Sequence, residues 1–111
     1  MSSYKSFEEV DYWQKCQLVK NWINHFIKTK IPKNDFDMVQ NIRRAGRSTT
    51  RNIAEGFGRF HFRENMQFCR ISRGSLFEIK DDLLTCVEEK NVSKVDIEEG
   101  LLLINEAIYS V

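Results

Sequence analysis

Four stretches of the chain repeat apolar or small residues at intervals of three and four, which is the period of an amphipathic α-helix. They predict helices over about residues 7–28, 37–60, 63–90 and 93–110, and no β-strand. The positions that define the four stripes are Tyr12, Cys16, Val19, Ile23 and Phe26; Ile42, Gly46, Thr49, Ile53, Phe57 and Phe60; Cys69, Ser72, Leu76, Ile79, Leu83 and Cys86; and Ile97, Leu101, Ile104 and Ile108.

Local signals predict where the helices begin and end. Pro32 disfavours helical backbone at the residue before it and so separates the first helix from the second. Asp37, followed three residues later by a glutamine, is a candidate cap for the second helix. We expect a turn around His61 and Phe62, and Ser93 is the candidate cap of the fourth helix.

Short connections between long amphipathic helices predict an antiparallel up-down-up-down four-helix bundle, with residues 1–111 as a single domain. The chain has more apolar residues than one such core can bury. Second stripes of this kind predict a further buried surface between subunits, and hence a homo-oligomer. The additional residues are Val10, Trp13, Leu18 and Trp22; Phe68, Ile71, Phe77 and Leu84; and Leu102 and Tyr109.

The formal net charge is only +1, but opposite charges are separated along the chain. Residues 1–42 carry six lysines and five acids, residues 43–73 eight arginines and two acids, and residues 74–111 three lysines and nine acids. Every arginine lies between Arg43 and Arg73, in a segment without lysine. The guanidinium is a planar fork of donors, so this bias indicates either phosphate contacts or pairing with carboxylates of the same or a neighbouring subunit.

The stretch RNIAEGFGRF, residues 51–60, has two glycines between arginines and invites comparison with a phosphate-binding loop. Such a loop follows a strand and opens a helix, whereas here a helix lies upstream and the P-loop lysine and hydroxyl are missing. We therefore predict that the stretch is helical. On the predicted helix over residues 37–60, the basic side lies nearly opposite the apolar side and has Ala54 and Gly58 as gaps for close approach. The basic side carries Arg43, Arg44, Arg47 and Arg51.

Two polar residues of this helix have different expected roles. Asn52 projects beside the apolar stripe, where its amide can bond to a neighbouring helix and fix the register. Glu55 lies four residues from both Arg51 and Arg59, so it can form ion pairs along the helix. We assign Asn52 a structural role and leave Glu55 open.

The sequence contains no pattern typical of a catalytic or metal site. Cys16, Cys69 and Cys86 lack C-x-x-C spacing and occupy helical positions beside apolar residues, so they are predicted to be small core residues. His25 and His61 have no metal-binding spacing. We therefore expect no disulfide, metal or cofactor, no enzymatic activity and no membrane association. The odd cysteine number and the lack of a signal peptide predict a cytoplasmic location.

The chain resembles a bacterial family of small four-helix-bundle proteins first noted as products of intervening sequences inside large-subunit ribosomal RNA genes. The family shows a run like R-R-A-x-x-S-x-x-x-N-I-A-E-G-x-G-R, which corresponds here to Arg43 through Arg59. A G-S-x-x-E element on the next helix corresponds to Gly74, Ser75 and Glu78. The early VDYWQKCQLV and the connection IPKNDF are similar as well, so the resemblance covers most of the chain.

The resemblance implies a pentameric ring in which the second and third helices supply a positively charged surface. Its relatives include the accessory variability determinants of diversity-generating retroelements, which bind nucleic acid and a reverse transcriptase without catalytic activity. Carried over by position, the phosphate contacts fall on Arg43, Arg44, Arg47, Arg51 and Arg59, and a polar network between helices on Asn52, Glu55, Ser75 and Glu78. Arg63, at the start of the third helix, completes the candidate interface.

Two functions follow as hypotheses. The first is a non-enzymatic, oligomeric nucleic-acid-binding protein, with RNA favoured, that uses the arginine-rich face of the second and third helices. The second is a protein-interaction scaffold, for a reverse transcriptase or a ribonucleoprotein, whose arginines serve contacts with subunits and a protein partner. The acidic C-terminal third is the expected counterpart of those arginines in the second hypothesis.

Overall fold

Four α-helices and one short 3-10 turn form the regular structure of the chain in a computed structural model that describes residues 5–59 and 62–111. These two ranges contain no β-strand, which confirms the prediction of an all-α fold with four helices. The turn is Phe7–Glu9, and the helices are α1 (Asp11–Lys30), α2 (Phe36–Phe57), α3 (Phe62–Glu88) and α4 (Lys94–Ser110).

The first helix begins later than predicted, at Asp11, because a separate turn precedes it. Ser6 caps that turn by accepting a hydrogen bond on Oγ from the Glu8 amide at 3.3 Å. Val10 then has extended backbone, with φ −72° and ψ 127°, and separates the turn from α1. At its other end α1 continues to Lys30, and Ile31 before the proline is extended as expected.

One of the two predicted helix caps is wrong and the other is confirmed. Asp35, not Asp37, caps α2, and its Oδ1 accepts from the Met38 amide at 3.3 Å. Ser93 caps α4 in a reciprocal capping box with Asp96. The Ser93 amide donates to Asp96 Oδ2 at 2.9 Å, and the Asp96 amide donates to Ser93 Oγ at 3.4 Å.

The second helix ends at Phe57, three residues before its predicted end. The Gly58 amide donates to the carbonyls of Ala54 and Glu55, at 3.2 and 3.1 Å, and so closes the last turn. Phe62 is already the first residue of α3, so the expected turn does not include it. The expected core position Phe60 and the turn position His61 lie outside the described residues.

The helices share one hydrophobic core. α1 packs against α2 and α4, α2 packs against α3, and α3 packs against α4. At about 1.5 Å per residue, the 27 residues of α3 nearly span the 47 Å long axis of the molecule. The fully buried side chains come from all four predicted stripes and include Phe26, Ile23, Val19 and Cys16; Ile42, Thr49 and Ile53; Leu76, Ile79 and Leu83; and Ile97 and Ile104.

Several positions of the stripes are less buried than the core residues, although some of them still pack against the core. Tyr12 in α1, Phe57 in α2, Cys69 in α3, and Leu101 and Ile108 in α4 are only partly buried. All three cysteines are free. Cys16 and Cys86 are buried, and this burial raises the pKa of each thiol to about 11, so both are protonated at neutral pH. No helix in the described part of the chain is long and apolar enough to cross a membrane.

The glycines of α2 differ in what surrounds them. A methyl group at Gly56 would lie 2.7 Å from Asn65 Oδ1 and 2.9 Å from Phe68 Cβ, which is closer than such atoms pack. A methyl group at Gly46 would lie 3.5 Å from Ile23 Cδ1 on α1, which is ordinary contact. Gly56 therefore permits the close approach of α2 and α3, whereas the position of Gly46 has room for a methyl side chain.

The same substitution at these two glycines is expected to have opposite effects. Gly46→Ala should raise the free energy of unfolding by about 1 kcal/mol, because alanine favours helix and its methyl group fits. Gly56→Ala should lower it by roughly 1 kcal/mol, since the overpacking exceeds the gain in helix propensity. Urea denaturation of both variants measures the difference, and equal stabilisation by both would contradict the close approach at Gly56.

Candidate nucleic-acid interface

The outer side of α2 carries an open hollow of about 510 Å³, which we call the arginine hollow. Its lining comes from α2 alone, over residues 40–52. Four of the six arginines predicted for the interface lie together here. The lining residues are Gln40, Arg43, Arg44, Arg47, Ser48, Arg51 and Asn52.

The core of the bundle fixes the outward direction of these arginines. Ile42, Thr49 and Ile53 are buried on the opposite side of α2, so the helix cannot rotate without exposing them. Arg43 and Arg51 are eight residues apart, which places their Cα atoms about 12 Å apart along the helix axis. The amphipathic period therefore sets both the direction and the spacing of the guanidinium groups.

The arginines of the hollow have no carboxylate partner within residues 5–59 and 62–111. The ion pairs of those residues join Lys15 to Asp11, Lys30 to Asp96, and Arg59 to two glutamates. Pairing between the basic segment and the acidic C-terminal third is thus not found inside the described part of the subunit. Within the described part of the subunit, the positive charge on this side of α2 is therefore not neutralised by a direct ion pair.

The structure does not bring the remaining two predicted arginines into the hollow. Arg59 follows the end of α2, where its guanidinium lies 3.8 Å from Glu55 and 3.9 Å from Glu64. It also lies over the ring of Phe68, 5.4 Å from the centroid. Arg63 is exposed in the first turn of α3. Phosphate contacts by these two arginines stay a prediction.

Hydroxyl and amide groups connect the edge of the hollow to α3. The Asn52 amide nitrogen donates to the Ser48 carbonyl at 2.8 Å and to Ser48 Oγ at 2.9 Å. Ser75 Oγ on α3 lies 2.8 Å from Ser48 Oγ. Asn52 and Ser75 therefore meet through Ser48. Glu55 and Glu78, the other two residues assigned to this network by sequence, are exposed, and the structure does not bring them to it.

Further hydrogen bonds hold α2 between its two neighbours. From α3, the buried Ser72 hydroxyl donates to the Thr49 carbonyl at 2.8 Å. From α1, the Lys20 ammonium donates to Thr50 Oγ1 at 3.0 Å. Each such bond contributes on the order of 1 kcal/mol, and together they oppose rotation or sliding of α2. The hollow is therefore presented by a helix held on both sides.

An acidic stretch of α3 lies beside the basic side of α2. Burial raises the pKa of the Asp82 carboxyl above its usual range, and the negative charges of Asp81 and Glu78 raise it further. Arg44 acts in the opposite direction and lowers this pKa. Arg44 is thus the arginine of the hollow whose charge reaches the acids of α3.

Sequence reasoning did not include Gln40 and Ser48 among the site residues. Both could have been found by helical projection, since Gln40 falls between the arginines and Ser48 falls between Arg44 and Asn52. The sequence contains no comparable signal for the contact of Lys20 with α2, because this contact depends on how α1 packs against α2. No group of three or more histidine, cysteine or acidic residues in the described ranges could hold a metal ion.

The fold and the site define a four-helix protein with a basic surface on one helix, where the arginines of the hollow form no ion pair with the described residues. The chain matches the model of the family described as 23S rRNA-intervening sequence protein over residues 8–110. It therefore belongs to this family, which confirms the resemblance seen in the sequence. No curated protein matches the chain.

The influence of Arg44 on α3 can be measured directly. Arg44→Gln removes a positive charge that favours the ionised Asp82 carboxylate, so the pKa of Asp82 should rise. Titration followed by carboxyl-carbon NMR measures this value in both proteins. Arg51→Gln, from the same hollow, is the matched control and should leave the pKa of Asp82 unchanged. If the pKa of Asp82 were the same in Arg44→Gln as in the unaltered protein, this result would contradict the proximity of the two helix surfaces.

Proposed function

We propose that the protein is a non-enzymatic nucleic-acid-binding protein whose arginine hollow contacts the phosphates of RNA. The observation that carries the proposal is that the hollow's four arginines form no direct ion pair in the described residues, even though Arg44 lies near enough to Asp82 to lower the pKa of its carboxyl. Guanidinium groups bind phosphate oxygens through paired donors, and each phosphate neutralised releases counterions. A family description that names 23S rRNA supports RNA as the ligand.

We further propose that each subunit is an antiparallel up-down four-helix bundle and that the subunits form a homo-oligomer, a pentameric ring. The proposed location is the cytoplasm. Apolar side chains exposed on α3 and α4 support self-association. Val95, Leu102 and Tyr109 recur every seven residues along α4 and are 72%, 59% and 93% exposed. Phe77 and Leu84, seven residues apart on α3, are each 48% exposed. A ring would repeat the arginine hollow and so increase the affinity for a long polyanion through multivalency.

A protein-interaction scaffold is the second candidate. The exposed apolar residues of α3 and α4 favour it, because a protein partner could cover them as well as another subunit. In this case the arginines of the hollow would pair with carboxylates of another chain, such as those of the acidic C-terminal third or of a reverse transcriptase. The two candidates differ in whether the hollow remains open to solvent in the assembled protein.

Charge reversal at two arginines of the hollow tests RNA binding. Arg47→Glu with Arg51→Glu should weaken binding to a structured RNA and reduce the slope of log K against log salt by about 2 for each engaged subunit. Lys28→Glu with Lys33→Glu, at exposed positions of α1 and the following loop, is the control with the same change in net charge. Fluorescence anisotropy over a salt series provides the measurement. No binding by the unaltered protein at low salt, or equal effects of both variants, would exclude this function.

The self-association surface has a separate test. Leu102→Glu introduces a charge into the exposed stripe of α4 and should reduce the mass of the particle in solution, with unchanged helical circular dichroism. Phe36→Glu, at an apolar residue of α2 that is 72% exposed, is the matched control and should leave the mass unchanged. Light scattering coupled to gel filtration measures the mass. A monomeric unaltered protein, or an intact oligomer in Leu102→Glu, would remove α4 from the interface.

A further inference from the structure

We propose that Asn52 makes the arginine hollow selective for RNA over DNA by accepting a hydrogen bond from a ribose 2′-hydroxyl. This inference rests on the proposed RNA-binding function and assigns a specificity residue to it. Asn52 lies at the edge of the hollow, next to Arg51 in the chain and one helical turn from Ser48. Sequence reasoning gave it only a structural role.

The orientation of the Asn52 amide follows from its partners. Its Nδ2 lies 2.8 Å from the main-chain carbonyl oxygen of Ser48. A carbonyl oxygen accepts and never donates, so the amide atom that faces it must be the nitrogen. The amide oxygen Oδ1 consequently points away from Ser48. Within residues 5–59 and 62–111 no donor is bonded to that oxygen.

The amide is held in place before any ligand arrives. Its nitrogen bonds both the carbonyl and the hydroxyl of Ser48, and Ser75 of α3 lies 2.8 Å from the same hydroxyl. These bonds restrict the side-chain torsions of Asn52 and link it to the neighbouring helix. An acceptor fixed in this way loses little conformational entropy on binding, so its hydrogen bond contributes to affinity and selectivity.

The chemistry of the hollow identifies the group that fits this acceptor. The four arginines offer donors alone, which suits phosphate oxygens because these oxygens only accept. An amide oxygen requires a donor from the ligand. Along a nucleic-acid backbone the 2′-hydroxyl is the group that can donate, and DNA lacks it. A DNA backbone would leave the Asn52 oxygen facing other acceptors, whereas an RNA backbone provides its partner.

The lining also favours contact with the backbone over contact with unstacked bases. No aromatic side chain is among the residues that line the hollow in the described part of α2. Binding by stacking of single-stranded bases depends on such side chains. Contacts to phosphate and sugar position a protein on a helix without reading its sequence. The expected ligand is therefore an RNA duplex segment recognised through its sugar-phosphate backbone.

Three duplexes of one sequence test the inference: RNA, 2′-fluoro RNA and DNA. The 2′-fluoro duplex keeps the A-form shape and lacks the donor, so it separates hydrogen bonding from shape. The unaltered protein should bind RNA roughly fivefold more tightly than 2′-fluoro RNA, as one hydrogen bond allows. In Asn52→Ala this ratio should fall to about one. Because each ratio compares two ligands on one protein preparation, partial loss of folded protein does not change it.

The control variant is Asn24→Ala, which removes an exposed amide of α1 outside the hollow. It should keep the RNA to 2′-fluoro RNA ratio of the unaltered protein. A ratio that falls equally in Asn24→Ala would overturn the assignment to Asn52. Equal binding of RNA and 2′-fluoro RNA by the unaltered protein, with binding still lost in Arg47→Glu and Arg51→Glu, would overturn this inference alone. Absence of binding to all three duplexes would overturn RNA binding itself.

Discussion

The packing of α2 against α3 determines what the protein presents to its surroundings. The two backbones approach closely at Gly56, where a methyl group would collide with Phe68, and the Ser72 hydroxyl bonds to a carbonyl of α2. This contact turns the apolar stripe of α2 inward and its arginines outward. It also brings Ser75 to Ser48, so the same interaction that closes the core orders the polar edge of the hollow.

The separation of charge along the chain becomes a separation in space. Basic residues occupy the outer side of α2, and the acids of α3 that act on one another lie beside them, within reach of Arg44. The modest net charge conceals this arrangement, because the two groups nearly cancel. Under the proposed function, such a charge distribution would attract a polyanion to α2 and repel it from the acidic part of α3.

The number of helices and the basic side of α2 could be predicted because both follow from a period that residues share along one element. Other features cannot be predicted from this period. Asp35 and Asp37 are both residue types that cap helices, and the period does not show which of them caps α2; in the structure it is Asp35. Arg59 lies beyond the helix end, so a helical projection misplaces it, and its pairing with Glu64 requires knowledge of how α3 begins.

Every side chain that lines the arginine hollow belongs to one helix and lies within thirteen consecutive positions. The residues that point into the core alternate with them and are different residues. The arginine positions are thus not constrained by the packing of the core, although Ser48 of the same hollow bonds Ser75 of α3. Substitutions of the arginines can change the charge of the hollow while the interior stays intact. A lineage carrying this fold can therefore vary this surface through a short segment of its gene, without first acquiring a new scaffold.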